Sequence, residues 1–136
     1  IVQHMVSSKY AFILLREKKN IMRCTLIQNK TMIGLVRFSL PINTLTKTAY
    51  LHKIEVAKTH RNHNFGTTLL NNMDHFLLEN TSVENISGML WDDKSNLYLK
   101  EFFIKNGYDI KHEDYSTYDT GEQIIDCTPI FKSLNN

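Results

Sequence analysis

Two strand-like segments joined by one amphipathic helix do most to limit how this chain can fold. Tyr50 to Val56 reads as a strand, and a short polar loop follows it with no proline. Leu69, Met73 and Phe76 then recur at helical spacing, joined by Leu70 and Leu77, so a helix is expected from about Phe65 to Glu79. Val83 to Leu90 is strand-like again. Strands joined through a crossover helix lie parallel. The chain is therefore expected to hold a parallel pair, with the loop after Val56 beside it.

The flanking segments supply the rest of a sheet. Tyr10 to Glu17 is apolar nearly throughout, and its period fits a buried strand or a helix. Ile21 to Ile27 reads as a strand, Asn29-Lys30 as a hairpin turn, and Met32 to Phe38 as the returning strand, with Pro41 beyond its end. Trp91 to Ser95 reads as a polar break before a second helix through Tyr98, Leu99, Phe102 and Phe103, closed by Asn106-Gly107. Tyr108 to Tyr115 and Gln123 to Leu134 read as last strands, linked by a soft acidic loop. The expected fold is α/β (α+β in some schemes): a mixed, centrally parallel sheet with an antiparallel N-terminal meander, in one domain over residues 1–136.

Composition excludes several classes of function. The net charge is +2 and the basic residues are scattered apart from Lys18-Lys19, so no nucleic-acid-binding stripe is expected. No apolar run approaches the roughly 20 residues that cross a bilayer, so no membrane partner is expected. Ile1 to Asn20 shows neither a charged n-region nor a small-residue cleavage site. Cys24 and Cys127 form no spaced pair, and two reduced, buried thiols suit the cytoplasm. His60 and His63, with His75 as a third candidate, lack a cysteine or acid spaced to complete a zinc site, so no metal is expected.

The loop between strand and helix carries the chemistry. It holds an arginine, a glycine and two threonines, and it aims free N–H groups and the positive end of a helix at one point, which suits a pyrophosphate. Arg61-Asn62-His63-Asn64-Phe65-Gly66 stands five residues after Val56, and Asn96 is followed eleven residues later by Gly107-Tyr108. In this the chain resembles the GNAT superfamily of acyl-CoA-dependent N-acetyltransferases. Their signature is Arg/Gln-x-x-Gly-x-Gly/Ala opening a helix after a strand that ends in valine, with an asparagine and a Gly-aromatic pair downstream. Two landmarks in the right order span about Tyr50 to Ile110.

The resemblance implies acetyl-CoA as co-substrate. It assigns the backbone of Ile54, Glu55 and Val56 to the pantetheine arm, and the backbone amides of Asn62, His63, Asn64, Phe65, Gly66 and Thr67 to the pyrophosphate. Arg61 fills the signature's first position, and Asn96 faces the cofactor near its pantetheine end. Two positions depart from the pattern. Asn64 replaces the first glycine, and asparagine is the residue after glycine most at ease with positive φ. Phe103 stands where many members place a tyrosine that protonates the departing thiolate; Tyr98, five residues earlier, is turned off that face.

Acetyl transfer to an amine needs a base for the amine's proton. His52 is the leading candidate because its pKa lies near neutrality. Alternation puts Tyr50, His52, Ile54 and Val56 on one face and sends Glu55, the second candidate, to the other. The resemblance extends here to arylalkylamine acetyltransferases, which carry histidines at the positions of Tyr50 and His52. A strand histidine with a satisfied hydrogen bond is the plainer alternative. Tyr50, Trp91 and Asp92 are candidates for the acceptor side: Asp92 and Asp93 either attract a cationic amine, with Trp91 as an apolar wall, or form a solvated turn that caps the next helix. Tyr115, Tyr118, Glu113, Asp114 and Asp119 either rim that site or form a polar hairpin.

The expected activity is transfer of an acetyl group to a primary amine, on a small molecule or a peptide, by direct attack. The alternative is a non-catalytic acyl-CoA-binding protein of the same fold. About twenty residues precede Ile21, fewer than the family devotes to its first strand and two helices. The acceptor-side wall is then reduced or supplied by a second subunit, as in a homodimer.

Overall fold

The computed structural model describes residues 2–6, 9–43, 45–61, 63–92, 99–111, 116–119, 121 and 124–134. Strand β1 (Val2–Val6) is followed by β2 (Ala11–Lys18), β3 (Ile21–Gln28), β4 (Thr31–Ser39) and β5 (Thr48–Val56). Each pairs antiparallel with the next. Helix α1 (Phe65–Asn80) crosses over to β6 (Asn85–Asp92), which lies parallel to β5. Then come α2 (Leu99–Lys105), β7 (Asp109–Ile110), β8 (Ser116–Asp119) and β9 (Ile124–Ser133). The sheet runs β1-β2-β3-β4-β5-β6-β9-β7, and β8 also pairs with β9. It is the expected mixed sheet, with an antiparallel meander and one parallel pair at its centre.

Local chemistry accounts for the elements. Asn29 and Lys30 both take positive φ, 50° and 65°, which gives the two-residue turn the twist that the β3–β4 hairpin needs. Gly107, at φ 90°, ends α2 as a C-terminal glycine does. Along α1 the buried residues are Leu69, Leu70, Met73, Phe76 and Leu77. They pack on Met22, Leu26, Val36, Phe38 and Leu51 of the sheet, all 5% exposed or less. Phe38 meets Phe76 edge to face, with ring centroids 6.1 Å apart. Cys24 and Cys127 are buried and unbridged, and burial pushes the Cys24 thiol up to about 11. Among the described residues no helix is long and apolar enough to cross a membrane.

The structure resolves or corrects four expectations. The ambiguous Tyr10 to Glu17 segment is strand, because two neighbours, β1 and β3, hydrogen-bond to it. Trp91 and Asp92 are not a break but the last two residues of β6, held in register opposite Cys127 and Asp126. The strand expected from Tyr108 to Tyr115 shrinks to Asp109–Ile110, and the loop expected after it contains β8, which also pairs with β9. Tyr98 and Tyr115 lie outside the described residues, as do Asp93, Glu113 and Asp114.

One polar pair ties α1 to the far half of the sheet. Lys132 Nζ lies 2.7 Å from Asp74 Oδ2, with the two side chains only 19% and 15% exposed. Removing one partner of such a pair strands the other charge, which costs more than the pair contributes. Lys132→Met is therefore expected to lower stability by about 2–3 kcal/mol. The Lys132→Met/Asp74→Leu double variant should recover most of that loss in urea denaturation.

Candidate functional site

The site is built where β5 loses one of its two neighbours. β5 pairs with β6 from Thr48↔Asn85 to Leu51↔Gly88 and no further. Beyond that rung both strands continue on their outer sides: β5 stays with β4 as far as Val56↔Gly34, and β6 stays with β9 as far as Asp92↔Asp126. The inner edges of β5 after Leu51 and of β6 after Gly88 thus diverge, and among the described residues no strand fills the wedge between them. Ile54, Glu55 and Val56 are the last residues of β5, paired with β4 alone.

His52 sits at the apex of the wedge, and it is a bulge. Leu51 opposes Phe38 and Lys53 opposes Arg37, so His52 is an extra residue in β5 with no partner of its own on β4. Such a bulge adds local twist and re-aims side chains. It also shifts the alternation that the sequence suggested. Ile54 and Val56 oppose Val36 and Gly34 and pack on the core beside α1. His52 keeps the company of Tyr50 on the other face of the sheet, their ring centroids 4.9 Å apart. Lys53 and Glu55 follow on that same face, joined at 3.0 Å. His52 does not share a face with Ile54 and Val56, and Glu55 is not opposite His52. One inserted residue reverses both expectations.

Two neighbours of His52 were not legible in the sequence. Ser39 Oγ, on β4, is 2.6 Å from His52 Nε2. Arg37, on the same strand and face, acts on the ring through space. The imidazole pKa is lowered from its ordinary value, first by partial burial and then by the Arg37 charge. The ring is therefore neutral and free to accept a proton at neutral pH. Only the pairing of β4 with β5 brings Ser39 and Arg37 here, thirteen and fifteen positions earlier in the chain.

The loop after Val56, the expected anion cradle, is tied back to the end of β5. A 3-10 turn (Lys58–His60) leads to Arg61, whose Nε donates to the Val56 carbonyl at 3.1 Å. His60 is held at both ring nitrogens, by Thr59 Oγ1 and Gln28 Oε1, each at 2.9 Å. His63 is exposed and packs its ring 5.8 Å from that of Phe65. Asn64 takes the left-handed conformation at φ 63°, ψ 17°, as its place in the signature requires. It gives α1 no side-chain cap, and the first turn holds no acidic residue. The first helical bond runs from the Thr68 N–H to the Asn64 carbonyl at 3.0 Å, so the amides of Phe65, Gly66 and Thr67 have no acceptor within the helix. These amides and the wedge fit an extended ligand that ends in phosphate.

The other candidates are placed as follows. Asn62 and Asn96 lie outside the described residues, and the side chain of Asp92 is not described. Tyr50 and Trp91 are 38% and 45% exposed. Phe103 is 4% exposed, within the core, edge-on to Tyr108 at 5.2 Å. The Tyr108 hydroxyl is buried beside it, and burial raises its pKa far above the ordinary value, so it holds its proton.

The family model described as Acetyltransferase (GNAT) family matches residues 3–108. No curated protein sequence matches the chain. Solved structures share the fold at low identity. A Bacillus anthracis protein in complex with acetyl coenzyme A is 17% identical with a TM-score of 0.70, covering 86% of this chain and 64% of its own. The spermidine/spermine N-acetyltransferase of Vibrio cholerae is 17% identical with a TM-score of 0.67, over 87% of this chain and 68% of its own. The ribosomal-protein-S18-alanine N-acetyltransferase of Escherichia coli is 16% identical with a TM-score of 0.67, over 88% and 73%.

Gly66 has a use here apart from any ligand. A Cβ at this position meets the Phe102 ring at 2.9 Å, so the bare Cα lets α2 seat against the first turn of α1. An alanine in a helix ordinarily gains about 1 kcal/mol over glycine. Gly66→Ala is expected instead to lose about 1 kcal/mol through the displaced ring. In a Phe102→Ala background the same change should be stabilising, which thermal denaturation of the four proteins would show.

Proposed function

Because the chain belongs to the GNAT family of acetyltransferases, we propose that it moves the acetyl group of acetyl-CoA to a primary amine by direct attack. One observation carries this reading: the wedge that opens after Leu51↔Gly88 has the uncapped end of α1 at one limit and the bulged His52 at its apex. Acetyl-CoA, when bound, supplies the thioester. The free edge of Ile54, Glu55 and Val56 would hold its pantetheine arm as an added strand is held. Arg61 and the amides from Asn62 to Thr67 would hold its pyrophosphate, and Asn96 would face its pantetheine end. Relatives bound to acetyl coenzyme A or coenzyme A support the choice of ligand.

His52 is the base in this reading. As the amine bonded to the acetyl carbon, the C–S bond would break to release the coenzyme A thiolate, and a neutral imidazole beside the wedge would accept the proton that the nitrogen sheds. Ser39 Oγ, 2.6 Å from Nε2, would fix the ring. Glu55, on the same face but paired with Lys53, is the second candidate. Holding both reactants in one orientation supplies much of the rate. The acceptor is small or peptidic; named relatives act on spermidine or spermine in one case and on a ribosomal-protein alanine in another.

Calorimetric titration with acetyl-CoA tests the first half of the reading, and absence of saturable binding would sink it. His52→Ala is expected to lower kcat by roughly a hundredfold or more while acetyl-CoA affinity stays within error. An equally active variant would remove His52 from the mechanism.

The pH profile carries a separate test. A base with a lowered pKa stays neutral, and active, to lower pH than an ordinary histidine. The acid limb that belongs to His52 should therefore lie lower than an ordinary histidine would set it. Arg37→Gln, which removes one cause of the lowering, should move that acid limb upward.

A second reading, acyl-CoA binding without turnover, is favoured by Phe103, which has no proton for a departing thiolate. Saturable binding with no amine-dependent thiol release would establish it.

A further inference from the structure

We infer that the amine accepted at this site carries an anionic group, a carboxylate being the simplest, a few bonds from its nitrogen; this rests on the acetyltransferase reading above. The inference comes from the surroundings of His52 away from the wedge. His52 and Ser39 line an open cavity of about 560 Å³, bounded by the β2–β3 turn and the segment that follows β4. Lys18 and Lys19 are its charged lining, and no carboxylate is among the described residues that line it. Neither lysine pairs with an acid among the described residues, whereas Arg23, Arg37, Lys47, Lys53 and Lys132 all do.

A second feature gives the same sign. On the sheet face of His52, Arg23 opposes Arg37, and Arg37 opposes Lys53, so three cations stand in a row across β3, β4 and β5. Like charges set directly opposite destabilise a sheet unless something between them carries the other sign. Glu17 bridges Arg23 at 3.2 Å and Arg37 at 2.9 Å, and Glu55 takes Lys53 at 3.0 Å. Two carboxylates thus serve three cations, and Arg23 Nε is still buried without a hydrogen-bond partner. A polycationic acceptor would meet Lys18 and Lys19 with every described carboxylate nearby already engaged. An acceptor with a carboxylate finds two lysines free to pair, and its amine can still reach His52.

The test uses three acceptors of equal length that differ only at the far end: 3-aminopropanoate, 3-aminopropan-1-ol and 1,3-diaminopropane. Thiol release from acetyl-CoA is expected to give kcat/KM in that order, the carboxylate leading the diamine by roughly tenfold, the ratio that one good charge pair supplies. Lys18→Glu/Lys19→Glu should reverse the order, chiefly through KM for the carboxylate. A diamine used as well as the carboxylate by the unaltered chain would overturn the inference and leave the acetyltransferase reading standing.

If no amine releases thiol, the enzymatic reading falls alone. The three compounds are then titrated while the His52 ring protons are followed by NMR. Saturation by 3-aminopropanoate at the lowest concentration supports the charge assignment, and equal responses overturn it.

Discussion

β5 pairs with β6 only from Thr48 to Leu51 and with β4 alone from Lys53 to Val56, and everything at the site depends on that change. Backbone N–H and C=O groups in the middle of a sheet demand partners. Where β6 turns away, the groups of β5 face a gap that water or an extended ligand must satisfy. The divergence has a local cause in the residue at its apex. The extra residue at position 52 increases the twist of β5 just past the last rung it shares with β6. Below that rung the strand is anchored by Ala49 and Leu51, 0% and 5% exposed, so the strands part above a fixed floor.

The helix end is coupled to the strand by short connections. Ile33 accepts the Ala57 N–H at 2.8 Å, and Arg61 folds back on the Val56 carbonyl. The chain is thus pinned at the end of β5 before it turns into α1. Asn64 then completes the turn in a conformation that costs most residues about 1–2 kcal/mol, and less for asparagine. Replacing a glycine there has kept the backbone path. α2 is added to this assembly through Phe102, which rests where Gly66 has no side chain. The loop, both helices and the strand edge therefore hold one another in place, and a change in any of them is felt at the others.

How much of this the sequence revealed depends on the range of the interactions. Local signals are legible: the apolar spacing of α1, the Asn29-Lys30 turn, the glycine after α2, and the tolerance of Asn64 for positive φ. The parallel pair followed from chain connectivity alone. What escaped was pairing between distant segments. Nothing local marks His52 as a bulge, because a bulge is a property of register against β4, and a strict two-residue period put His52 with Ile54 and Val56. Ser39 and Arg37 escaped for the same reason. The reach of β6 through Trp91 and Asp92 was hidden by polar side chains at positions that β9 holds in the ladder.

The cations around His52 bear on more than recognition. Acetyl transfer needs both the base and the acceptor amine uncharged at once, although each gains a proton readily in water. A positive environment disfavours protonation of either. Arg37 exerts this effect on His52, and an amine drawn close to the same ring enters the same field. The field that adds to burial in keeping the imidazole neutral also tends to release the proton that blocks its substrate. It would repel a substrate whose only charge was positive, and so it suits one that brings a negative group of its own. Placed toward Lys18 and Lys19, such a group pairs with those cations, which offset its charge as felt at the ring. Position as well as sign therefore matters: a carboxylate directly at His52 would undo the depressed pKa, and one at the lysines would not.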